Sequence, residues 1–268
     1  MNYTVGFIGC GNMGGALLDA VLQRIEASEC CVCENLPEKA APFVKQGVTL
    51  LPSAADVVAQ SQMVFLAVKP QVLGEVIGTF SQNLTPQNAP LFVTMAAGTT
   101  MATLQGFLGV TAPVIRIMPN LPCSVGKGVV LYCANNAVTA AQKTEFLSLL
   151  SPAGLLDEIP EGDIDAASVV SGCGPAFVFA FAEALANGAA ACGLDKSRAL
   201  LYAARTLEGA ATLMEQSDKD AAALIKAVCS PKGTTIEGVE SLQQNGFAEV
   251  VAKAVDASYR RTVELSKQ

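Results

Sequence analysis

Two stretches of this chain place backbone donors where an anion can be held. The first reads Cys-Ser-Pro-Lys-Gly-Thr-Thr-Ile-Glu over residues 229–237. An apolar helical run at 221–228 halts at Ser230 and Pro231, turns through Lys232 and Gly233, and restarts near Thr234, so free N–H groups point into the turn. The hydroxyls of Thr234 and Thr235 add donors and acceptors beside that positive pole, which suits a small carboxylate with further polar atoms next to it. A threonine-capped corner between two helices accounts for the same residues without any ligand.

The second stretch, Val-Gly-Phe-Ile-Gly-Cys-Gly-Asn-Met-Gly at 5–14, supplies G-x-G-x-x-G between a strand pattern and a helix pattern. Gly9 permits the tight turn, Gly11 lets a pyrophosphate approach the backbone, and Gly14 allows the helix to lie close on the strand. Residues 8–13, namely Ile8, Gly9, Cys10, Gly11, Asn12 and Met13, are therefore the expected dinucleotide loop. Glu34 lies at the end of the second strand pattern, where an acid accepts hydrogen bonds from the adenosine ribose hydroxyls. An acid there repels a 2′-phosphate, so Glu34 by itself favours NADH over NADPH, with Lys39 as a nearby opposing charge.

Ligands of open parallel sheets bind beyond the carboxyl ends of the strands, and three more strand ends share that edge. They are Ala67, Val68, Lys69 and Pro70 after the third strand, Ala96, Ala97 and Gly98 after the fourth, and Met118, Pro119 and Asn120 after the fifth. The small residues at 96–98 leave room for a nicotinamide ring against backbone, while Lys69 and Asn120 are placed for its ribose and carboxamide.

The elements that must hold these residues follow from periodicity. Strand patterns occur at 3–8, 29–33, 63–67, 91–95, 114–117, 129–133 and 155–159, alternating with helices that start near Met13, Pro37, Ser53, Gln71, Thr100 and Thr139. This predicts an α/β fold, an N-terminal Rossmann-type doubly wound, mainly parallel sheet over residues 1–160. Beyond 160 only helices are expected, at 175–192, 196–214, 218–228, 234–244 and 247–267, with Asp195 and Asp218 at N-cap positions. Residues 161–268 thus form a predicted all-helical domain, the one that contains the 229–237 corner.

Composition narrows the chemistry. The 268 residues are 51% hydrophobic and carry 17 basic against 24 acidic side chains, a net charge of −7, which argues against nucleic acid or an anionic membrane as partner. There is no histidine, which excludes Ser-His-Asp and Cys-His nucleophile systems and most transition-metal sites; no metal is expected. Nine cysteines without metal-type spacing and no basic, apolar leader predict a cytoplasmic protein with buried thiols. Residues 166–182 are uncharged, but Gly172, Gly174 and Pro175 are expected to break the run short of a membrane span. A helix apolar on nearly every face then needs protein around it, which points to a second subunit.

Taken together, these motifs resemble the pyrroline-5-carboxylate reductase family over essentially the whole chain. The resemblance rests on Gly-Phe-Ile-Gly-Cys-Gly-Asn-Met at 6–13, Val-Lys-Pro at 68–70, Ala-Ala-Gly at 96–98, Arg-Ile-Met-Pro-Asn-Leu-Pro at 116–122, Ser-Gly-Cys-Gly-Pro-Ala-Phe at 171–177 and the 229–237 segment. It implies reduction of 1-pyrroline-5-carboxylate to L-proline by hydride from NADPH or NADH, a homodimer often assembled into decamers, and an active site shared between subunits. It also implies that Ser230, Lys232, Gly233, Thr234, Thr235 and Asp218 meet the substrate, with the Thr235 hydroxyl on the ring nitrogen. The chain departs from the family pattern at Lys232, where Gly is usual, at Cys173 for Ser, Phe177 for Tyr and Asp218 for Glu. Glu34-Asn35 replaces a frequent Asn-Arg, removing a customary partner of the 2′-phosphate.

Two rival functions fit part of this. A β-hydroxyacid or other imine oxidoreductase shares the N-terminal pattern, but the former carries a catalytic lysine on the helix after its glycine cluster, and 175–192 has none. A dinucleotide-sensing module without chemistry needs no second anion site.

Overall fold

The structure is a computed structural model that describes residues 2–265, the side chain of Leu265 apart. Its N-terminal part alternates β1 (Tyr3–Ile8), α1 (Asn12–Val21), β2 (Cys30–Cys33), α2 (Pro37–Gln46), β3 (Thr49–Leu50), α3 (Ala54–Gln60), β4 (Ser61–Leu66), α4 (Pro70–Gly78), β5 (Leu91–Thr94), α5 (Met101–Leu108), β6 (Val114–Met118), β7 (Gly128–Ala134), α6 (Ala140–Leu150) and β8 (Gly154–Glu158). The strands form one sheet of order β3-β2-β1-β4-β5-β6-β7-β8, parallel except for the antiparallel β6–β7 pair. The doubly wound sheet expected from the sequence is therefore present, with β3 added at one edge. Two residues show no alternation, so that strand was invisible to periodicity.

Neighbouring side chains along each strand face opposite sides of the sheet, and both faces are buried. On β1 and β4, Val5, Phe7, Met63 and Phe65 join one core cluster, while Ile8, Val64 and Leu66 join the other. Phe7 and Phe65 are register partners whose rings stack 4.4 Å apart. Each such fully buried side chain contributes about 1.5–3 kcal/mol. This rigid centre brings the ends of β1, β2, β4, β5 and β6 to one edge.

Beyond β8 the chain is helical: α7 (Ile164–Ser168), α8 (Gly174–Ala191), α9 (Lys196–Gln216), α10 (Ala221–Val228), α11 (Thr234–Gln244) and α12 (Phe247–Leu265). The chain divides into two compact units, one running to Gly172 and resuming at Tyr259, the other spanning Cys173–Ser258.

Two sequence expectations are corrected in this region. Gly172, Gly174 and Pro175 do not break the apolar run; Val169–Cys173 forms a π-helical turn that joins α7 to α8, and Pro175 sits in the first turn of α8, directly after that irregular turn. The resulting helical run, Glu161–Ala191, is long and apolar enough by length and composition to cross a membrane. Nor does Asp218 cap a helix: α10 begins at Ala221, and the Asp220 carboxylate accepts the Ala223 N–H at 2.8 Å. Asp195 does cap α9, accepting the Arg198 N–H at 3.0 Å.

In α8 and α9 the buried residues are Ala182, Ala186, Ala199 and Ala203, small enough to let two helices approach closely. Phe179, Leu185, Leu200, Leu201 and Met214 stand exposed on the same pair, so within one chain the apolar helix remains uncovered on most faces.

Candidate functional site

The glycine loop has the form its spacing predicts. Gly9 takes φ +93°, and a Cβ there would stand 2.8 Å from the Ala67 carbonyl oxygen. A Cβ on Gly14 would meet the Gly9 oxygen at 2.7 Å and Ala67 Cβ at 2.9 Å, so only glycine lets α1 sit this close to the ends of β1 and β4. Gly11 is different: a Cβ there would have nothing within 4 Å. It caps α1 through backbone alone, with no side-chain hydrogen bond and no acid in the first turn, leaving the helix pole open to an anion. A pyrophosphate fits this combination of open space and unneutralised dipole.

Next to it lies a cleft of about 820 Å³. It gathers Ile8, Gly9, Glu34, Ala67, Val68 and Lys69 from the predicted set and adds Asn35, Leu36 and Ser53. Glu34 is held at both oxygens, Oε2 accepting the Cys10 N–H at 2.8 Å and Oε1 the Leu36 N–H at 2.9 Å. Partial burial pushes its carboxyl up, but these two donors and the nearby Lys39 outweigh that and hold it below the ordinary carboxylate range. The group is thus a fixed anion at the wall of the cleft, with lone pairs left for ribose hydroxyls. Cys10 is only 4% exposed and joins the core, with its thiol as well as its N–H turned to the Glu34 carboxylate. Burial, with Glu34 beside it, pushes its thiol up to about 12, so it is no nucleophile at neutral pH.

Of the remaining loop residues, Asn12 is exposed and Met13 packs against the core from the first turn of α1. Pro70 opens α4 behind Lys69, whose side chain is exposed. Beyond β5, Ala96 is buried, Ala97 is exposed and Gly98 turns at φ +75°, a short, nearly flat loop that a planar ring can approach.

Asn120 is otherwise occupied than its spacing suggested. Its Nδ2 donates to the Ser171 carbonyl at 2.8 Å, and its Oδ1 accepts the Val129 N–H at 2.9 Å. The buried amide braces the start of β7 against the π turn instead of reaching freely toward a ligand. Sequence reasoning also passed over Arg116. This β6 residue is 3% exposed, and its guanidinium spans Glu161 and Asp165, each at 3.2 Å. Nothing local marks a strand arginine as buried; only the fold brings its carboxylates.

In the helical unit, α10 ends at Cys229 and the chain turns through Ser230–Gly233, where the Gly233 N–H donates to the Ser230 carbonyl at 3.0 Å. Lys232 takes φ +58°, the one positive φ among described non-glycine residues, at the position where the family pattern has glycine. A Cβ on Gly233 would fall 2.2 Å from Ser230 Oγ and 3.1 Å from the Ser230 carbonyl oxygen, so a larger residue there would turn the Ser230 hydroxyl away. α11 then starts at Thr234 with no side-chain cap, and Thr234 and Thr235 are both exposed. The corner is an uncapped helix start with two exposed hydroxyls and Lys232 beside it and Glu237 in its first turn. Asp218, two residues before the α10 cap, lies in an exposed bend. Among the described residues no group of three or more His, Cys, Asp or Glu is placed to hold a metal.

Comparison with known proteins agrees with both halves. Residues 161–265 match the family model of pyrroline-5-carboxylate reductase dimerisation, and residues 4–98 match that of NADP oxidoreductase coenzyme F420-dependent. The chain is 38% identical over 266 residues to pyrroline-5-carboxylate reductase 3 of Danio rerio, covering 98% of this chain and 92% of that one. Among solved structures, a pyrroline-5-carboxylate reductase from Coxiella burnetii superposes over 100% of both chains with a TM-score of 0.91 at 30% identity. The Plasmodium falciparum pyrroline carboxylate reductase with NADP bound matches 99% of this chain and 98% of its own, with a TM-score of 0.86 at 26% identity.

Proposed function

Because the chain belongs to the pyrroline-5-carboxylate reductase family and reduces 1-pyrroline-5-carboxylate to L-proline with NAD(P)H, we propose that its two donor-rich corners divide the work. Residues 8–13, Glu34, 67–70 and 96–98 hold the dinucleotide, and Ser230, Lys232, Gly233, Thr234 and Thr235 hold the cyclic imino acid. The observation that carries this is the α11 start, uncapped and exposed beside two threonines.

When bound, the dihydronicotinamide supplies the hydride that reduces the imine carbon. The chain contributes position and polarity. The first N–H groups of α11 bind the substrate carboxylate, Lys232 adds a cation beside it, and the Thr235 hydroxyl hydrogen-bonds the ring nitrogen. That nitrogen arrives protonated from solution, which suits a protein without histidine. Holding donor and acceptor carbons in near contact away from water supplies up to about 7–11 kcal/mol of the barrier reduction. Asp218 is exposed in the bend before α10 and takes a supporting place at the rim of this site.

The fixed charge of Glu34 supports NADH as the preferred cofactor, since a 2′-phosphate would face an anion that two backbone N–H groups keep ionised. The exposed faces of α8 and α9 and the matched dimerisation family support a homodimer in which a second copy, and no membrane, covers them; decamers as a further assembly rest on the family resemblance alone. Nine unpaired thiols suit the cytoplasm. A steady-state assay of 1-pyrroline-5-carboxylate reduction with NADH and NADPH in parallel tests the reading. No cofactor oxidation with either would overturn it, and a higher kcat/KM with NADPH would overturn the cofactor assignment alone.

A further inference from the structure

We propose that Glu161 and Arg116 are positioning residues for the nicotinamide, acting through the loop between β5 and α5. This rests on the assignment of residues 96–98 to that ring. The loop leaves the sheet at Thr94 and enters α5 at Met101. One end lies in the strand beside the one that carries a buried cation, and the other is hydrogen-bonded to that cation's partner. Thr94 is the register partner of Arg116 on the adjacent strand, and the Met101 N–H donates to Glu161 Oε1 at 2.7 Å, the same oxygen that accepts Arg116 Nη1 at 3.2 Å.

Asp165 takes the other arm of the guanidinium at 3.2 Å, fixing its plane, while Arg116 Nε has no partner. A cation that is 3% exposed and bonded only through its two terminal nitrogens has little freedom to shift. Its hold therefore passes to Glu161 and on to the first turn of α5. Between those ends the loop carries two local bonds of its own, Ala96 N–H to Thr94 Oγ1 at 3.4 Å and Thr99 N–H to the Ala96 carbonyl at 3.2 Å, and turns at Gly98. The loop is short and carries only Ala96, Ala97 and Gly98 at its turn, so its height above the sheet edge is set by its ends. Glu161, 29% exposed, supplies the end that the sheet does not.

Because Arg116→Met puts folding at risk, the test uses Glu161→Ala and Glu161→Gln in the full chain. Dissociation constants for NADH and for ADP-ribose, which lacks the nicotinamide, are measured by calorimetry, alongside thermal melting. Glu161→Ala is expected to weaken NADH about tenfold while leaving ADP-ribose within about twofold, because the adenosine half meets the glycine loop and Glu34. Glu161→Gln, whose carbonyl still accepts the Met101 N–H, is expected to recover most of the loss. Equal weakening of both ligands, or unchanged NADH binding, would overturn the proposal. Failure of wild type to turn over 1-pyrroline-5-carboxylate would instead strike the functional reading, since the binding comparison does not depend on it.

Discussion

The carboxylate of Glu34 and the backbone N–H of Cys10 meet at 2.8 Å, joining the acid beyond β2 to the glycine loop beyond β1. The acid proposed to select the cofactor and the shape of the glycine loop are therefore coupled through one hydrogen bond. A side chain at 34 that cannot accept from Cys10 changes both.

Glu34→Ser is expected to raise the NADPH-to-NADH ratio of kcat/KM by about tenfold, equivalent to about 1.4 kcal/mol of relieved repulsion. An unaltered ratio would remove Glu34 from cofactor choice. The same carboxylate has a pH signature in the free protein. Its folded pKa lies below its unfolded value, so its stabilising effect is complete above the ordinary value of 4.5 and is lost as pH falls through the folded value. Thermal melting of wild type against Glu34→Gln should differ above that window and converge below it.

Two glycines of the loop should fail in different ways. Gly14→Ala forces a Cβ against the Gly9 oxygen and Ala67, and is expected to cost about 1–3 kcal/mol of stability by urea unfolding. Gly11→Ala meets nothing in the folded chain and should stay within about 0.5 kcal/mol of wild type, yet lose dinucleotide affinity because the new methyl occupies the pyrophosphate's space. If Gly11→Ala binds NADH normally, the pyrophosphate does not lie there.

Thr235→Ala is expected to lower kcat about 10- to 100-fold, the weight of one hydrogen bond to a charged group, with NADH affinity unchanged. An unchanged turnover number would take the hydroxyl out of the reaction.

Lys232 holds a left-handed backbone conformation that costs a non-glycine residue about 1 kcal/mol. Lys232→Gly should therefore stabilise the fold by up to that amount while raising KM for the imino acid, since the cation beside the carboxylate is gone. A variant that gains stability without a change in KM would leave the lysine no part in binding substrate.

Phe179 is 58% exposed on α8 in a single chain. Phe179→Glu is expected to convert the assembly to smaller species in sedimentation velocity, because a carboxylate cannot be buried unpaired in an apolar contact. Retention of the wild-type assembly would place the contact surface elsewhere on α8 and α9.

Much of this molecule was legible in one dimension because its signals are local. The G-x-G-x-x-G loop, the alternation of strand and helix through residue 159, and the corner at 230–235 depend on backbone conformation within a few residues, which glycine, proline and β-branched side chains control directly. β3 escaped because two residues carry no period, and the start of α10 was misplaced because Asp218 and Asp220 are chemically equal candidates for a cap. The continuation of helix through Gly172–Pro175 was missed because a π turn looks like a break until its hydrogen bonds are seen.

What the sequence alone determined was the class of fold and the two places where backbone N–H groups lie open to anions, since both follow from local stereochemistry. Tertiary structure decided which polar side chains are free to act. It drew Asn120 inward to Ser171 and Val129, locked Glu34 onto the Cys10 and Leu36 N–H groups, and buried Arg116 between Glu161 and Asp165. Leu36 and Val129 aside, those partners lie 24 to 51 residues apart in the chain, and a hydrogen-bonding group cannot reveal its partner until folding has brought the two within about 3 Å of each other.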